Sequence, residues 1–178
     1  MLNHETPRRS TKGFLVLKPV KRFQAASIGA LLAVAATLSA HALPINNGGF
    51  ETGGLAGWST TAVFNGGVTS AEAYSGSYSL EMDAVDIVYQ DLTTLKRFGR
   101  LTFKAKADAP ITTGVAYATV DYADGSSSEV MFGGGCLSSG DWTAFELALD
   151  STKRVIRVSF SVGESTPIYI DNVALIGP

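Results

Sequence analysis

The sequence has 178 residues, of which 46% are hydrophobic and 17% are charged, and its formal net charge is −2 at pH 7. Beyond the amino-terminal segment, the basic residues form only short groups such as Lys96-Arg97 and Lys153-Arg154, so the sequence predicts no basic surface for nucleic acid or an anionic membrane. Cys136 is the only cysteine, which excludes an intramolecular disulfide bond and leaves a packed thiol or an intermolecular link.

Residues 1–42 are typical of a signal peptide. Six Lys and Arg residues precede an apolar run at 25–40, which ends in the small-residue triplet Ala40-His41-Ala42. We therefore expect cleavage after Ala42 and secretion, either to the cell exterior or to the periplasm. A membrane anchor is the alternative, but the run is short for the roughly 20 residues that a spanning helix needs.

Residues 43–178 are expected to form one domain, because this length supports one core and is short for two. Six of the 14 basic residues and one of the 16 acidic residues lie before position 43, so the remaining segment has a net charge of −7. Both histidines, His4 and His41, are also in the segment predicted to be removed.

Alternation of apolar and polar residues predicts β-strands through most of this domain. Asp124-Gly125 lies between two alternating runs, which predicts a hairpin that pairs 114–123 with 127–133. Short strands separated by Gly, Asp, Ser and Pro favour an all-β fold, a two-sheet antiparallel β-sandwich, with a closed barrel as the competing arrangement. The alternating runs, in chain order, are SYSLEMDAV, RLTFKAKAD, GVAYATVDYAD, FELALD, VIRVSFSVG and IYIDNVALIG.

Four stretches of the domain resemble one family. They are NNGGFETGGLAGWS near the start, AYSGSYSLEM about twenty residues later, DWTAFELAL at 141–149 and IYIDNVALI near the end. In order and position they are similar to the jelly-roll carbohydrate-binding modules of the galactose-binding-like superfamily, especially families four, nine and twenty-two. The resemblance implies a single carbohydrate-binding-module-like domain with a polysaccharide or another glycan as its partner.

The resemblance also implies a structural calcium ion that joins the first loop, a central turn and the last strand. The positions that match are Gly49 and Gly76, through backbone carbonyl groups, and Glu51 and Asp171, through carboxylates. Calcium prefers six to eight oxygen ligands, and glycines allow carbonyl groups to turn toward a cation. Strict alternation would place Asp171 on the same face as Val173, where a carboxylate needs a partner or a metal. The alternative is that Asp171 accepts backbone N–H groups in a turn while Glu51 lies in solvent.

Aromatic side chains are the candidates for stacking on sugar rings. In the strand at 114–123 the row with Ala116 is the predicted core, so that Tyr117 and Asp121 point outward. Trp58 and Trp142 occupy positions that are core in the resembling family. The predicted ligand-binding residues are Tyr117, Asp121, Tyr89, Gln90 and Phe132, with Tyr89 and Gln90 on opposite faces of their strand and Phe132 near Tyr117 across the hairpin.

Catalysis is not expected. Without histidine after position 42, no Ser–His–Asp or Cys–His set can form, and no pair of carboxylates lies in a recognisable motif. Three function classes follow: a polysaccharide-binding module, a calcium-stabilised structural or adhesive sandwich that binds no sugar, and a small esterase-like or glycosidase-like enzyme. The first is favoured. A row of exposed aromatic residues on one sheet face would distinguish it from the second.

Overall fold

The computed structural model describes residues 45–111, 115–137, 139–163 and 166–178. The predicted signal peptide and its cleavage site lie outside these ranges. These ranges contain ten short strands, whose bounds are β1 (Ser59–Thr60), β2 (Gly67–Thr69), β3 (Ser79–Met82), β4 (Ile87–Asp91), β5 (Arg100–Ala107), β6 (Ala116–Tyr122), β7 (Ser127–Met131), β8 (Thr143–Ala148), β9 (Val155–Val162) and β10 (Ile168–Ile176). The six alternating runs contain β3, β5, β6, β9, β10 and most of β8, and the predicted hairpin accounts for β7.

The strands form two five-stranded antiparallel sheets. Sheet A has the order β1-β4-β9-β6-β7, and sheet B has the order β2-β3-β10-β5-β8. Chain neighbours are often not sheet neighbours, because β9 lies between β4 and β6 and β10 lies between β3 and β5. The fold is therefore a two-sheet sandwich, as the sequence predicts, and not a closed barrel.

Aromatic rings fill the space between the sheets. Phe103 of β5 makes edge contacts with Phe132 and with Phe160 of β9, with ring centroids 5.2 and 5.1 Å apart. Trp58 is buried beside Phe50 and Phe160, as predicted for a core residue. These contacts join sheet A to sheet B, and they fix which face of each strand remains on the outside.

The predicted hairpin is present. Strands β6 and β7 pair antiparallel, with Tyr117 opposite Met131 and Asp121 opposite Ser127. Gly125 has a φ of +83°, a conformation that glycine adopts without the steric cost of a side chain. Ala116, Ala118, Val120 and Tyr122 are buried, so the predicted division of β6 into a core row and an outward row is correct.

Candidate functional site

The last strand departs from the alternation that the sequence predicts. Strand β10 has an irregular register against β5 between Asp171 and Ala174, and Asn172 between them has a φ of +54°. This β-bulge puts Asp171 opposite Lys104, on the outer side of sheet B with Tyr169, whereas Val173 returns to the core. The prediction that Asp171 shares a face with Val173 is wrong, because an extra residue in a strand reverses the facing of those that follow.

Asp171 is nevertheless fully buried, because the segment 74–78 covers it. One carboxylate oxygen accepts hydrogen bonds from the backbone N–H groups of Tyr74 and Ser75, both at 2.9 Å, and the other accepts one from Asn172. The same segment binds Glu51, whose carboxylate accepts backbone N–H bonds from Ser77 at 3.0 and 3.1 Å and from Tyr78 at 3.1 Å. One short segment thus holds a carboxylate from the first loop and another from the last strand.

The glycines of the first loop allow this close approach. Gly48 accepts a hydrogen bond from the Val173 N–H at 2.8 Å, and a Cβ on Gly48 would overlap the Val173 carbonyl oxygen. A Cβ on Gly76, whose φ is +70°, would overlap the Glu51 carboxylate. Gly49 lies between the two carboxylates, since its Cβ would be 3.7 Å from both Asp171 Oδ1 and Glu51 Cγ. The structure therefore brings together the four residues that the resemblance implies for calcium.

The two carboxylates are oxygen ligands of the kind a hard cation takes, and in this structure they accept hydrogen bonds from backbone N–H groups of the segment 74–78. Burial, opposed by the N–H bonds and reinforced by the charge of Glu51, raises the pKa of Asp171. A cation bound here would offset both the burial and the repulsion between the carboxylates. Among the described residues no group of three or more His, Cys, Asp or Glu side chains is placed to hold a metal, so backbone carbonyls would have to supply most of the ligands. Asp171 also matches the alternative expectation of a carboxylate that accepts N–H bonds.

The outer face of sheet A holds three of the five predicted ligand-binding residues. Tyr89 on β4 and Tyr117 and Asp121 on β6 all point away from the core, since their neighbours along each strand are buried. Strand β9 lies between the two strands, with Ser159 opposite Tyr89 and Ser161 opposite Tyr117. The two tyrosines therefore stand on either side of a strand that presents small polar side chains.

This arrangement forms a trough along β9, which we call the β9 trough. Its floor is Ser159 and Ser161, and its walls are outward side chains of β4 and β6, two strands about 10 Å apart, twice the usual spacing of roughly 4.8 Å between neighbouring strands. The outward residues of the walls are Ile87, Tyr89 and Asp91 on β4, and Tyr117, Thr119 and Asp121 on β6.

Arg157 lies at the charged end of the β9 trough. Its guanidinium is 4.4 Å from the centre of the Tyr89 ring, and its Nε donates a hydrogen bond to Asp91 Oδ1 at 2.6 Å. Asp121 lies opposite Arg157 on the other wall. The hydrogen bond to Asp91, together with the nearby negative charges, raises the pKa of Arg157 despite partial burial. Tyr89 therefore presents a ring that is covered by a cation, whereas the ring of Tyr117, the other tyrosine of the trough, has no such contact with a described residue.

Two predicted ligand-binding residues do not lie on this face. Phe132 is fully buried beside Phe103 and cannot stack on a ligand, so that prediction is wrong. Strand β7 ends at Met131, which is the residue opposite Tyr117, and Phe132 turns inward. Gln90 is 4% exposed, and its amide is bonded to the backbone N–H and carbonyl of Asn46, at 2.7 and 2.9 Å. It also lines a cavity of about 320 Å³ at the end of β4. The burial pattern of β4 places Tyr89 and Gln90 on opposite faces, as predicted.

Trp142 differs from its prediction as a core residue. It is half-buried and meets Tyr74, which is 43% exposed, in an edge contact with centroids 5.9 Å apart. Lys104 lies 4.6 Å from the centre of the Tyr74 ring. The tryptophan immediately precedes β8, which is an edge strand of sheet B. In the described part of the chain, no further strand lies beyond β8 to cover it.

Sequence reasoning missed Arg157, Asp91 and the serines of β9. The alternation in VIRVSFSVG does show that Arg157, Ser159 and Ser161 share one face, opposite four apolar residues. The alternation does not show that β9 lies between β4 and β6. Because of that placement, the two serines form the floor of the trough and Arg157 lies at its end.

Comparisons with solved structures support the fold. The family 61 carbohydrate-binding module TmCBM61, solved in complex with β-1,4-galactotriose, has a TM-score of 0.59 and 22% identity over 76% of this chain and 99% of that chain. The xylan-binding domain CBM22-2 from Paenibacillus barcinonensis has a TM-score of 0.55 and 14% identity over 74% and 98%. A family 16 carbohydrate-binding module has a TM-score of 0.56 and 17% identity over 75% and 99%.

A fourth similar structure belongs to a larger protein. The enzymatically active domain of tailspike protein 4 from bacteriophage CBA120 has a TM-score of 0.55 and 16% identity, over 75% of this chain but 21% of that chain. No protein-family model and no curated protein matches the sequence. The chain thus has the β-sandwich fold of carbohydrate-binding modules, and the fold that the sequence resemblance implies is confirmed. Within the described ranges, no helix is long and apolar enough to cross a membrane.

Proposed function

We propose that this protein is a secreted, non-catalytic module that binds polysaccharide in the β9 trough. The observation that carries the proposal is the trough itself, in which outward tyrosines from β4 and β6 flank the small floor residues Ser159 and Ser161. A flat sugar face can stack on an aromatic ring while its hydroxyl groups bond to polar side chains nearby. Tyr117 supplies the ring, and Asp121 and the serines supply acceptors and donors.

The solved structures support this proposal through the ligands named for them. One was solved with a galactotriose and another is a xylan-binding domain, and each is covered almost completely by this chain. Fold alone does not determine function, and the side chains of the trough supply the evidence for a glycan ligand.

The structure also contains a feature that favours a second candidate, a structural or adhesive sandwich that binds no sugar. Aliphatic side chains lie exposed at the end of the trough away from Arg157, including Ile87 at 37% and Met131 at 42% exposure. Val85 and Val115, near the same end, are also exposed. Such a patch suits a protein contact, but it continues directly into Tyr117 and the serine floor, which suit hydroxyl-rich ligands better.

We further propose that calcium binds between Glu51 and Asp171, with carbonyl groups near Gly49 and Gly76. The fully buried Asp171 carboxylate, close enough to Glu51 for their charges to repel, supports the proposal. Calcium at this position would supply charge neutralisation and a link between the first loop and the last strand, and it would take no part in a reaction.

Secretion is proposed from the amino-terminal sequence. Mass spectrometry of the protein recovered from the medium or periplasm should give Leu43 as the first residue. Intact protein retained in the membrane fraction with residues 1–42 would contradict the proposal.

Binding to insoluble polysaccharides tests the function. Wild-type protein should be retained by at least one polysaccharide of a panel that includes galactan and xylan. Tyr117→Ala should weaken retention by about 1–3 kcal/mol, the scale of an aromatic contact at a binding site. Tyr74→Ala removes an exposed tyrosine that packs against Lys104 on the outer side of sheet B, and it should leave retention unchanged. Equal retention of the two variants would contradict the assignment, and no retention of wild-type protein would favour the adhesive candidate.

A further inference from the structure

We infer that the β9 trough selects uncharged glycans, with Arg157 as the residue that recognises their hydroxyl groups and with Asp91 and Asp121 excluding anionic polymers. The inference rests on the proposed function, because it names the class of ligand that the same trough accepts.

The guanidinium of Arg157 is fixed in orientation. It lies against the ring of Tyr89 at 4.4 Å, and the hydrogen bond from Nε to Asp91 holds the side chain at one edge. Within the described part of the chain, its terminal nitrogens make no hydrogen bond, and the side chain is 42% exposed. A planar group held in this way presents a pair of N–H donors at a fixed spacing, which suits two neighbouring hydroxyl oxygens on a sugar ring.

The same guanidinium would also suit a carboxylate, so the surrounding charge decides between the two ligands. Strands β4, β9, β6 and β7 place three carboxylates on the outer face of sheet A, those of Asp91, Asp121 and Glu129. Arg157 is the only cationic side chain on the described outer face of these four strands. Its positive charge is compensated from both walls of the trough, and the face as a whole is negative.

An anionic glycan therefore meets repulsion that a neutral glycan does not. A uronate group near Arg157 would lie close to Asp91 on one side and Asp121 on the other, and like charges in such proximity disfavour a complex. Neutral hydroxyl groups have no such cost and can donate to the two aspartates while they accept from Arg157. The carboxylates that exclude an acid thus become ligand acceptors for a neutral sugar.

Affinity gel electrophoresis with neutral galactan or xylan and with polygalacturonate tests the inference. Wild-type protein should be retarded by a neutral polymer and not by polygalacturonate. Arg157→Lys keeps the charge but loses the planar pair of donors, and should weaken neutral binding roughly tenfold, the equivalent of about one good hydrogen bond to a charged group. Asp91→Asn with Asp121→Asn keeps an acceptor for Arg157 Nε, and should gain retardation by polygalacturonate that added salt suppresses. Glu146→Gln removes a carboxylate from the outer side of sheet B and should change neither result.

The outcomes separate this inference from the proposed function. Retardation of wild-type protein by polygalacturonate at least as strong as by the neutral polymers would overturn the inference and leave glycan binding intact. The inference would also fall if Arg157→Lys bound the neutral polymer as wild type does, or if the double variant gained no binding to polygalacturonate. If wild type and all variants ignored every polymer, the proposed function itself would be refuted, and the inference with it.

Discussion

Replacing Asp171 with alanine removes the carboxylate that ties the last strand to the segment 74–78. Two backbone N–H groups, of Tyr74 and Ser75, donate to it across the chain at 2.9 Å, and the substitution leaves both without this acceptor. A hydrogen bond to a charged group contributes about 1.5–3 kcal/mol. Relief of the cost of burying the charge offsets part of this loss. We therefore expect the free energy of unfolding to fall by about 3 kcal/mol and the melting temperature by about 10 °C.

Calorimetry in calcium and in excess chelator separates the hydrogen bonds from the proposed metal. Calcium that binds only the folded state adds about 2.7 kcal/mol at a hundredfold excess over Kd, so chelation should lower the wild-type melting temperature by several degrees. Asp171→Ala should be destabilised in both buffers and should no longer respond to chelation. Asp124→Ala, in the exposed hairpin turn, should keep the calcium response.

Two results would refute this reasoning at different points. A wild-type melting curve that is unchanged in chelator, with no metal in elemental analysis of protein purified in calcium, would remove the calcium proposal and leave the N–H bonds as the role of Asp171. A loss of less than 1 kcal/mol in Asp171→Ala would show that the segment 74–78 does not depend on this carboxylate.

Two further predictions concern the core and the hairpin. Phe132→Ala should lower the free energy of unfolding by about 3–5 kcal/mol in chemical denaturation, because the ring is fully buried among other aromatic rings; a stable variant that has lost glycan binding would instead restore Phe132 as a ligand contact. Hydrogen bonds from Ser126, and to a lesser extent the contact with Lys153, lower the pKa of Asp124 from 3.8 to about 2. The ionised carboxylate therefore stabilises the folded state at pH values above 3.8, and this contribution is lost as the pH falls through about 2. Titration of Asp124 by NMR should show a midpoint near 2, and a midpoint near 3.8 would contradict the geometry.

Local patterns were sufficient for much of the fold. Alternation identified six of the ten described strands and the outward row of β6, because a strand buried on one face has a period of two residues. Asp124-Gly125 identified the hairpin, because the turn needs one positive φ and glycine at position 125 adopts it without steric cost. The resemblance also indicated four residues that the structure brings together, namely Gly49, Glu51, Gly76 and Asp171. Calcium itself is still a prediction.

The remaining features depend on contacts between distant parts of the chain. The bulge at Asn172 has no clear signal in the sequence, yet it changes the face on which Asp171 lies. Phe132 directly follows Met131, which points outward opposite Tyr117. Its place in the core could be assigned only once the register and the end of β7 were known. Arg157 meets Asp91 from 66 positions away in the sequence, and only the order of strands in sheet A brings the two together.

The central claim is that a glycan lies along β9 between Tyr89 and Tyr117. The most direct test is to titrate ¹⁵N-labelled protein with a soluble oligosaccharide of the polysaccharide that retains it, and to map the amide shifts by NMR. The largest changes in amide chemical shift should fall on β9 and on the facing residues of β4 and β6, with Ser159, Ser161 and Tyr117 among them. The amide shifts of the outward residues of sheet B should stay unchanged. Shifts concentrated at Tyr74 and Trp142 on sheet B, with the β9 trough unchanged, would contradict the account.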